Sequence, residues 1–422
     1  MNPAVALALL AVAGLLAMRL PRVSLPASLP LSATLATVGR VLRAGSVPLL
    51  FLGLVLGPGI DLLNQATLTS LAPVAAFAVG WIAAGFGARW EWRLVRRIGW
   101  ERAARLVAGG AAAFVTVGLA AWAATRFLPG LAGAWTPVGP TVATLAAVAA
   151  VSGPGAVRRL AQIVGAPRRT ARALGRAALI EGGAGTLAIA LTLAAGHSRH
   201  TLAGVLAGTL LWLGRAVGAG ALTALVYFAL TRLGTPRIPV PFALLAALLV
   251  GAGLGWAAGL SPFIVCVGAG ALIVNVGGYA ERRRARAVLV AWEPTLVGVL
   301  ALAAGALLAL PAPVLLAAVA LLATVRVAAK WGGMRAVLVS DPRPALPLNA
   351  GLALVVQGGV VLAMSLNVVL VQGGSGTFIT TAVLGWVVAQ VAAVPLLGLA
   401  LAPPRLTQGR PVSDLSAGSP VT

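Results

Sequence analysis

Long apolar runs separated by short arginine-rich segments dominate this sequence. A window of about 19 residues finds runs centred near residues 10, 53, 76, 116, 148, 186, 216, 248, 270, 299, 324, 358 and 388. A helix needs roughly 20 apolar residues to cross the hydrocarbon core of a bilayer. The pattern therefore predicts an all-α polytopic membrane protein with about 13 transmembrane helices.

The composition excludes a soluble enzyme. Hydrophobic residues make up 60% of the 422 positions, charged residues only 9%, and the mean hydropathy is +1.01, whereas a soluble domain has about 25% charged residues. We expect one transmembrane domain over residues 1–402 and a short cytoplasmic tail over residues 403–422. The first run, from Met1 to Met18, lacks a basic n-region, so we interpret it as a retained span and not as a signal peptide.

The arginines indicate the orientation. Twenty-six lie in alternate connecting segments or the tail, and only Arg126 and Arg199 lie in the opposite connections. The positive-inside rule then puts the N-terminus outside and the C-terminus in the cytoplasm, and we expect the inner (plasma) membrane of a bacterium. The net charge of +23 thus indicates topology and a lipid bilayer as partner. It does not indicate nucleic acid, which needs basic residues gathered on one face.

Ionisable residues inside the apolar runs are candidates for function, because each costs about 2.5 to 3.5 kcal/mol to insert. The runs contain Glu181, Arg215, Arg326 and Lys330. Lys330 is the only lysine in the chain, and a desolvated lysine can lose its proton where arginine cannot. The alternative is a lysine whose stem reaches the headgroups. Arg326 lies one helical turn earlier, and we expect it to pack against a helix terminus or a polar cluster.

Glu181 is a candidate coupling carboxylate. It follows Arg176 by five residues, which places it about 7.5 Å deeper along a helix. The alternative is a carboxylate near the interface that neutralises one of the nearby arginines. Three glycines follow it and leave room for another backbone or an ion to approach closely; they are Gly182, Gly183 and Gly185.

Two apolar runs contain helix-breaking sequences. The run AAVAAVSGPGAVRRL places Ser152, Gly153, Pro154 and Gly155 in a row. A second weak point is VVQGGVV, over residues 355–361, which contains Gln357. An opened helix presents free carbonyl groups, and paired interruptions in the two halves of a chain are typical of transporters built from inverted repeats. We expect an ion site near these breaks.

Other chemistry is disfavoured. Lys330 is followed by Trp331, so there is no phosphate-binding loop, and no cofactor is expected. His197 and His200 have no thiol or carboxylate close by in sequence, so no metal site is predicted. A membrane-embedded enzyme would have only eight acidic residues and no closely spaced carboxylate pair. The sequence therefore predicts a protein that is not an enzyme.

The sequence resembles the monovalent cation:proton antiporter family, in particular the electrogenic sodium/proton antiporters. The resemblance covers about residues 46 to 400 and depends on motifs that follow the family's order. These are PLLFLGLVLGPGIDLL, AAVSGPGAVRRLAQIVGA, AALIEGGAGTLAIAL, LSPFIVCVGAGALIVN, WEPTLVGVLALAAGALL, VRVAAKWGG and NAGLALVVQGGVVLAM. The resemblance implies the antiporter fold and a homodimer.

One position departs from the family. Where the ion-binding helix of the family has Asn-Asp or Asp-Asp, this chain has Glu181 and Gly182. Lys330 matches the membrane lysine that pairs with the first carboxylate of that motif in electrogenic members. The essential aspartate of the family is therefore replaced by glycine.

Two hypotheses follow. The first is a secondary active transporter that exchanges protons for Na+ or K+ by alternating access. Glu181 would be protonated, paired with Lys330, or bound to a cation together with Ser152 and opened-helix carbonyls. The second is a non-transporting or repurposed protein of the same fold, acting as a scaffold, a sensor or a passive ion pathway, and Gly182 favours it.

Overall fold

The computed structural model describes residue 39 and residues 46–63, 65–196, 202–232, 238–309, 311–341, 346–373 and 376–401. Within these ranges every regular element is a helix. The helices are α1 Val47–Leu54, which continues as a π-helical turn Val55–Gly59, α2 Gln65–Ser70, α3 Ala72–Gly87, α4 Trp92–Arg96, α5 Trp100–Phe127, α6 Leu131–Ala134, α7 Val138–Ala150, α8 Pro154–Ile163, α9 Arg168–Ala195, α10 Leu202–Arg232, α11 Val240–Ala257, α12 Pro262–Val276, α13 Tyr279–Ala306, α14 Pro313–Val339, α15 Ala350–Ala353, α16 Gly359–Gln372 and α17 Gly376–Leu401.

The helices agree with the predicted spans wherever the structure describes the chain. Eight are long and apolar enough to cross a membrane, counting α7 and α8 as one, and four shorter apolar helices accompany them. Eleven of these twelve contain one of the predicted centres, and the centre near residue 358 lies one residue before Gly359–Gln372. The predicted span centred near residue 10 and the tail after residue 402 lie outside the described residues. The total of thirteen therefore stays a prediction.

Helices are interrupted at both predicted places. Residues 151–153 are extended between α7 and α8, and Pro154 begins α8, since the fixed φ of proline suits the first helical turn. Residues 354–358 separate α15 from α16, as a turn at 354–355 followed by three residues without regular structure. We refer to residues 138–163 as the first broken helix and to residues 350–372 as the second broken helix.

The helices pack as two groups. The first helix group consists of α1, α3, α10, α11, α12 and α13, and the second helix group consists of α5, both broken helices, α9, α14 and α17. Contacts between the groups run mainly from α3 and α13 to α16, and from α10 to α9. The predicted inverted-repeat symmetry between the two halves of the chain stays a prediction.

Glycines let helices approach to backbone contact in the first helix group. A Cβ atom at Gly53 would overlap the carbonyl of Leu302, and one at Gly305 would overlap the carbonyl of Leu50. Helices in a bilayer associate through such close packing, because lipid tails are as apolar as the side chains. The high glycine content therefore serves helix packing.

Candidate functional site

The two broken helices meet at their interruptions. The backbone N–H of Gly153 donates a hydrogen bond to the carbonyl of Val356, at 3.0 Å. A Cβ atom at Gly153 would overlap the backbone of Gly358, so the crossing requires glycine. Each interruption frees backbone carbonyls that need partners in an apolar environment.

Arg326 on α14 supplies partners for both interruptions. Its guanidinium donates to the carbonyls of Ala149 and Val355, each at 2.7 Å, and of Val151 at 3.2 Å. Arg326 is buried. The expectation that it packs against a helix terminus or polar cluster is confirmed, and its geometry indicates a structural cation.

Glu181 and Lys330 form a buried ion pair beside this crossing. The Nζ atom of Lys330 lies 2.5 Å from Oε2 of Glu181, and their side chains are 1% exposed or less. The ammonium group also donates to the carbonyl of Ala150, at 2.6 Å, and to Oγ of Ser152, at 3.0 Å. The alternatives of a headgroup-seeking lysine and an interfacial carboxylate are therefore wrong.

Ser152, in the first interruption, connects the ion pair to the second broken helix. Its Oγ lies 2.9 Å from Oε2 of Glu181 and 2.7 Å from the carbonyl of Leu354. A hydroxyl has one proton to donate, so the two acceptors compete for it. If Glu181 takes up a proton or a cation, Ser152 can turn its proton to Leu354 and offer its lone pairs to the site.

The glycines that follow Glu181 make close contacts with neighbouring helices. A Cβ atom at Gly182 would lie 3.1 Å from the ring of Phe86 and 3.2 Å from the carbonyl oxygen of Ser152. The Trp90 ring lies on Gly183, and Gly185 accommodates Val151 of the first broken helix. The expected close approach of another backbone is therefore observed.

Phe86 is a site neighbour that the sequence analysis missed. It belongs to α3 in the first helix group and is buried. Its ring borders the space in which any side chain at position 182 would begin. Nothing in the sequence near Phe86 marks this role, because the contact depends on how the two helix groups pack.

Gln357 and Gln390 brace the second interruption. The Gln357 side chain donates to the carbonyl of Val148, at 3.3 Å, and its backbone carbonyl accepts a hydrogen bond from the Gln390 side chain. Gln357, a secondary candidate from the sequence, thus links the two broken helices, and within the described part of the chain it does not hydrogen-bond to Glu181 or Lys330. Arg215 lies on an exposed face of α10.

The described residues contain one buried carboxylate, that of Glu181. They contain no group of three His, Cys, Asp or Glu side chains that could hold a metal ion. His197 and His200 lie outside the described residues. In the described part of the chain, the crossing of the broken helices therefore has a single carboxylate, which contacts the hydroxyl of Ser152 and the ammonium group of Lys330.

A cavity at one end of the molecule is lined by residues that adjoin the site in sequence. We call this the arginine-rich end, where residues 88–99, 158–176 and 279–286 lie. The cavity has a volume of about 500 Å³, and its inner wall includes Pro154, Gly155 and Leu179, which adjoin Ser152 and Glu181 in sequence. A separate space of about 50 Å³ borders Arg326 and Gln357.

Comparison with solved structures identifies the architecture as that of a sodium/proton antiporter. The structure of the sodium proton antiporter MjNhaP1 from Methanocaldococcus jannaschii at pH 8 matches with a TM-score of 0.62 and 16% identity, covering 87% of this chain and 100% of that one. An electron-microscopy map of the same antiporter matches with a TM-score of 0.60 and 16% identity, covering 97% and 100% of the two chains. No protein-family model and no curated protein matches the sequence. At this identity the likeness establishes the fold.

Proposed function

We propose that this protein exchanges a monovalent cation for protons across a membrane by alternating access. The observation that carries the proposal is the buried Glu181–Lys330 ion pair at the crossing of the two broken helices. Buried ion pairs are costly to desolvate, and ionisable groups at membrane depth commonly lie on ion or proton pathways. The antiporter fold of the chain gives the same expectation.

The proposed mechanism is competition between Lys330 and the cation for one carboxylate. A cation that reaches Glu181 takes the place of the ammonium group and gains oxygen ligands from Ser152 and the nearby carbonyls. A displaced ammonium group would remain unpaired in an apolar site, which is strongly unfavourable. Lys330 therefore gives up its proton as the cation binds, and it regains a proton when the cation leaves.

This mechanism predicts a stoichiometry of one cation for one proton. The site has no net charge when protonated Lys330 pairs with ionised Glu181. It again has no net charge when a cation pairs with Glu181 and Lys330 is neutral. Exchange between these two states moves no net charge, which differs from the electrogenic family members that the sequence resembles.

Na+ is the cation we propose to test first, because the solved antiporter of the same fold is named for sodium. K+ is the second candidate. The two helix groups provide the moving parts: the second helix group holds the whole site, and the first faces it through Phe86. Displacement of one group against the other would open the site to each side in turn.

The test is cation-induced dequenching of a pH-sensitive dye in energised inverted vesicles. Na+, K+ or Li+ is added to the wild type, to Glu181→Gln and to Glu101→Gln. Glu101 is a matched control, since its side chain is 88% exposed. We expect dequenching in the wild type and in Glu101→Gln, and its loss in Glu181→Gln.

The same assay also distinguishes exchange from the competing hypothesis of a non-transporting protein. If correctly inserted wild-type protein responds to no cation over a broad pH range, exchange is excluded and a scaffold or sensor becomes the better interpretation. If Glu181→Gln responds like the wild type, exchange occurs without the proposed carboxylate. Dependence of the wild-type rate on membrane potential would contradict the one-for-one stoichiometry.

A further inference from the structure

The cavity at the arginine-rich end, which we call the arginine cavity, is lined by side chains of strongly unequal charge. Its volume, about 500 Å³, lies in the usual range for small-ligand sites. One carboxylate, that of Glu91, lines it. Six arginines line it: Arg89, Arg158, Arg159, Arg172, Arg176 and Arg286.

Some of these arginines already have carboxylate partners. Glu293 lies 2.8 Å from Arg89 and 3.3 Å from Arg159. Glu91 lies 3.1 Å from Arg286 and also pairs with Arg282 outside the cavity. Each carboxylate is thus shared between two guanidinium groups, and neither can neutralise a further arginine.

The other three arginines have no carboxylate partner among the described residues. Arg172 and Arg176 lie one turn apart on α9, and Arg158 faces them from α8; all three are exposed. A Cβ atom at Gly175 would lie 3.6 Å from Cβ of Arg158, so the two helices approach closely here. The three guanidinium groups therefore line one concave surface.

The positive charges in this cavity repel one another. Burial lowers the pKa of the Arg89 guanidinium, Glu293 raises it, and the charges of Arg159 and Arg158 lower it again. Gly155 makes room for this guanidinium, because a Cβ atom there would lie 2.6 Å from Nη1 of Arg89. An anion bound between the arginines would relieve the repulsion.

Topology alone does not require this arrangement. The positive-inside rule counts basic residues on one side of the membrane and says nothing about convergence on a cavity. Arg93, Arg96 and Arg97, at the same end of the molecule, line no part of the arginine cavity. Planar guanidinium groups, each with several donors, match the oxygens of a phosphate, and Gln162 adds a further polar side chain to the wall.

We propose that the arginine cavity binds a phosphate group, held mainly by Arg158, Arg172 and Arg176. The phosphate belongs either to a small soluble compound or to the headgroup of an anionic phospholipid. The cavity wall includes Leu179, two residues before Glu181, so a bound phosphate would lower the positive potential that an entering cation meets. This second consequence rests on the proposed exchange function, whereas binding itself does not.

Binding of soluble phosphate is tested by isothermal titration calorimetry on the full-length protein in detergent at low ionic strength. Inorganic phosphate is the probe, with gluconate as the inert anion. We expect saturable binding with a Kd at or below about 1 mM. Arg172→Gln/Arg176→Gln should weaken phosphate binding at least about tenfold. The loss of two charge-assisted hydrogen bonds removes more binding free energy than a tenfold change in Kd requires.

The matched control is Arg168→Gln/Arg169→Gln. It removes the same charge from two exposed residues at the start of the same helix that do not line the cavity. Binding should be retained there. Arg158→Gln provides a third variant on a different helix, and thermal unfolding of each variant checks that it is folded.

The lipid source is tested in nanodiscs of phosphatidylcholine with and without phosphatidylglycerol. If the headgroup is the ligand, phosphatidylglycerol should raise the Tm of the wild type and the control but not that of Arg172→Gln/Arg176→Gln. If neither inorganic phosphate nor phosphatidylglycerol has an effect, or if both double variants respond alike, the phosphate site is refuted.

The effect on exchange is measured separately in proteoliposomes. A bound phosphate should lower the KM for the cation in the wild type several-fold and leave Arg172→Gln/Arg176→Gln unchanged. Binding by calorimetry without any exchange would refute the proposed function and leave the phosphate site intact. Exchange by a protein that responds to neither inorganic phosphate nor phosphatidylglycerol would refute the phosphate site and leave the proposed function intact.

Discussion

The two broken helices cross each other, but their side chains contribute differently to the site. The first broken helix places Ser152 against the Glu181–Lys330 pair. The second broken helix contributes carbonyl groups, and its one polar side chain at the interruption, Gln357, reaches back to Val148. The first broken helix therefore contributes a side chain that contacts the ion pair, whereas the second contributes structural contacts.

This difference teaches that an opened helix is not by itself an ion site. Both interruptions free carbonyl groups, yet Arg326 accounts for Ala149, Val151 and Val355 through hydrogen bonds. The carbonyl of Ala150 instead accepts a hydrogen bond from Lys330. In the proposed mechanism, the two interruptions differ in whether the cation that faces their carbonyls can lose its proton: Lys330 can and Arg326 cannot.

The largest expected effect comes from removing the cation shared by both interruptions. Arg326→Met leaves three carbonyls without their charged donor, and we expect a loss of roughly 4 kcal/mol in the free energy of unfolding. Denaturant titration in detergent measures it. Arg335→Met, on the same helix but at an exposed position, is the control and should change stability little. Equal losses in both variants would show that Arg326 does not brace the crossing.

The next effect tests the contact between the interruptions. Gly153→Ala forces a Cβ atom into the backbone of Gly358, and a clash with backbone cannot be relieved by a rotamer change, so we expect a loss of about 3 kcal/mol. Gly358→Ala is the matched control. Its Cβ would lie 3.3 Å from Cβ of Ala156, and it should cost less than about 1 kcal/mol. A reversed order would mean that the two broken helices do not cross as described.

A third prediction separates chemistry from support directly. Ser152→Ala removes a hydroxyl that touches both partners of the ion pair, and we expect the KM for the cation to rise about tenfold, equivalent to about 1.4 kcal/mol. Gln357→Met should lower the Tm slightly and leave the KM unchanged. Transport assays and thermal unfolding on both variants give the two readouts. If Gln357→Met shifts the KM as much as Ser152→Ala, the proposed division of roles is wrong.

The smallest effect concerns position 182. A Cβ atom in Gly182→Ala would lie close to the edge of the Phe86 ring, which can shift by a few tenths of an ångström. Alanine also favours a helix over glycine by about 1 kcal/mol, so we expect a net change below about 1 kcal/mol in either direction. A thermal unfolding scan measures it. A loss of several kcal/mol would mean that Phe86 or the Ser152 carbonyl is held rigidly against position 182.

Much of this site could be predicted from local sequence. Ser152, Glu181 and Lys330 are polar residues in apolar runs, and a buried polar group needs a partner, so a meeting of the three was a reasonable expectation. The interruptions were equally visible, because serine, glycine and proline in a row cannot continue a helix. These inferences need only the cost of burial and the geometry of one helix.

The rest depends on packing between segments distant in sequence. Gln390 reaches Gln357, and Phe86 reaches Gly182, through contacts that no local pattern encodes. The arginine cavity could not be predicted from the sequence for a different reason. The positive-inside rule already explains arginines at positions such as 158, 172 and 176, so their convergence on one cavity adds no signal to the sequence.

The single lysine makes the ion pair chemically addressable. Apart from the amino terminus, Lys330 carries the only primary amine in the sequence, and its side chain is fully enclosed. Reductive methylation with isotopically labelled formaldehyde modifies primary amines when water can reach them. The rate at which this one side chain becomes labelled would therefore report how often the site opens to water, and no engineered reporter group would be needed.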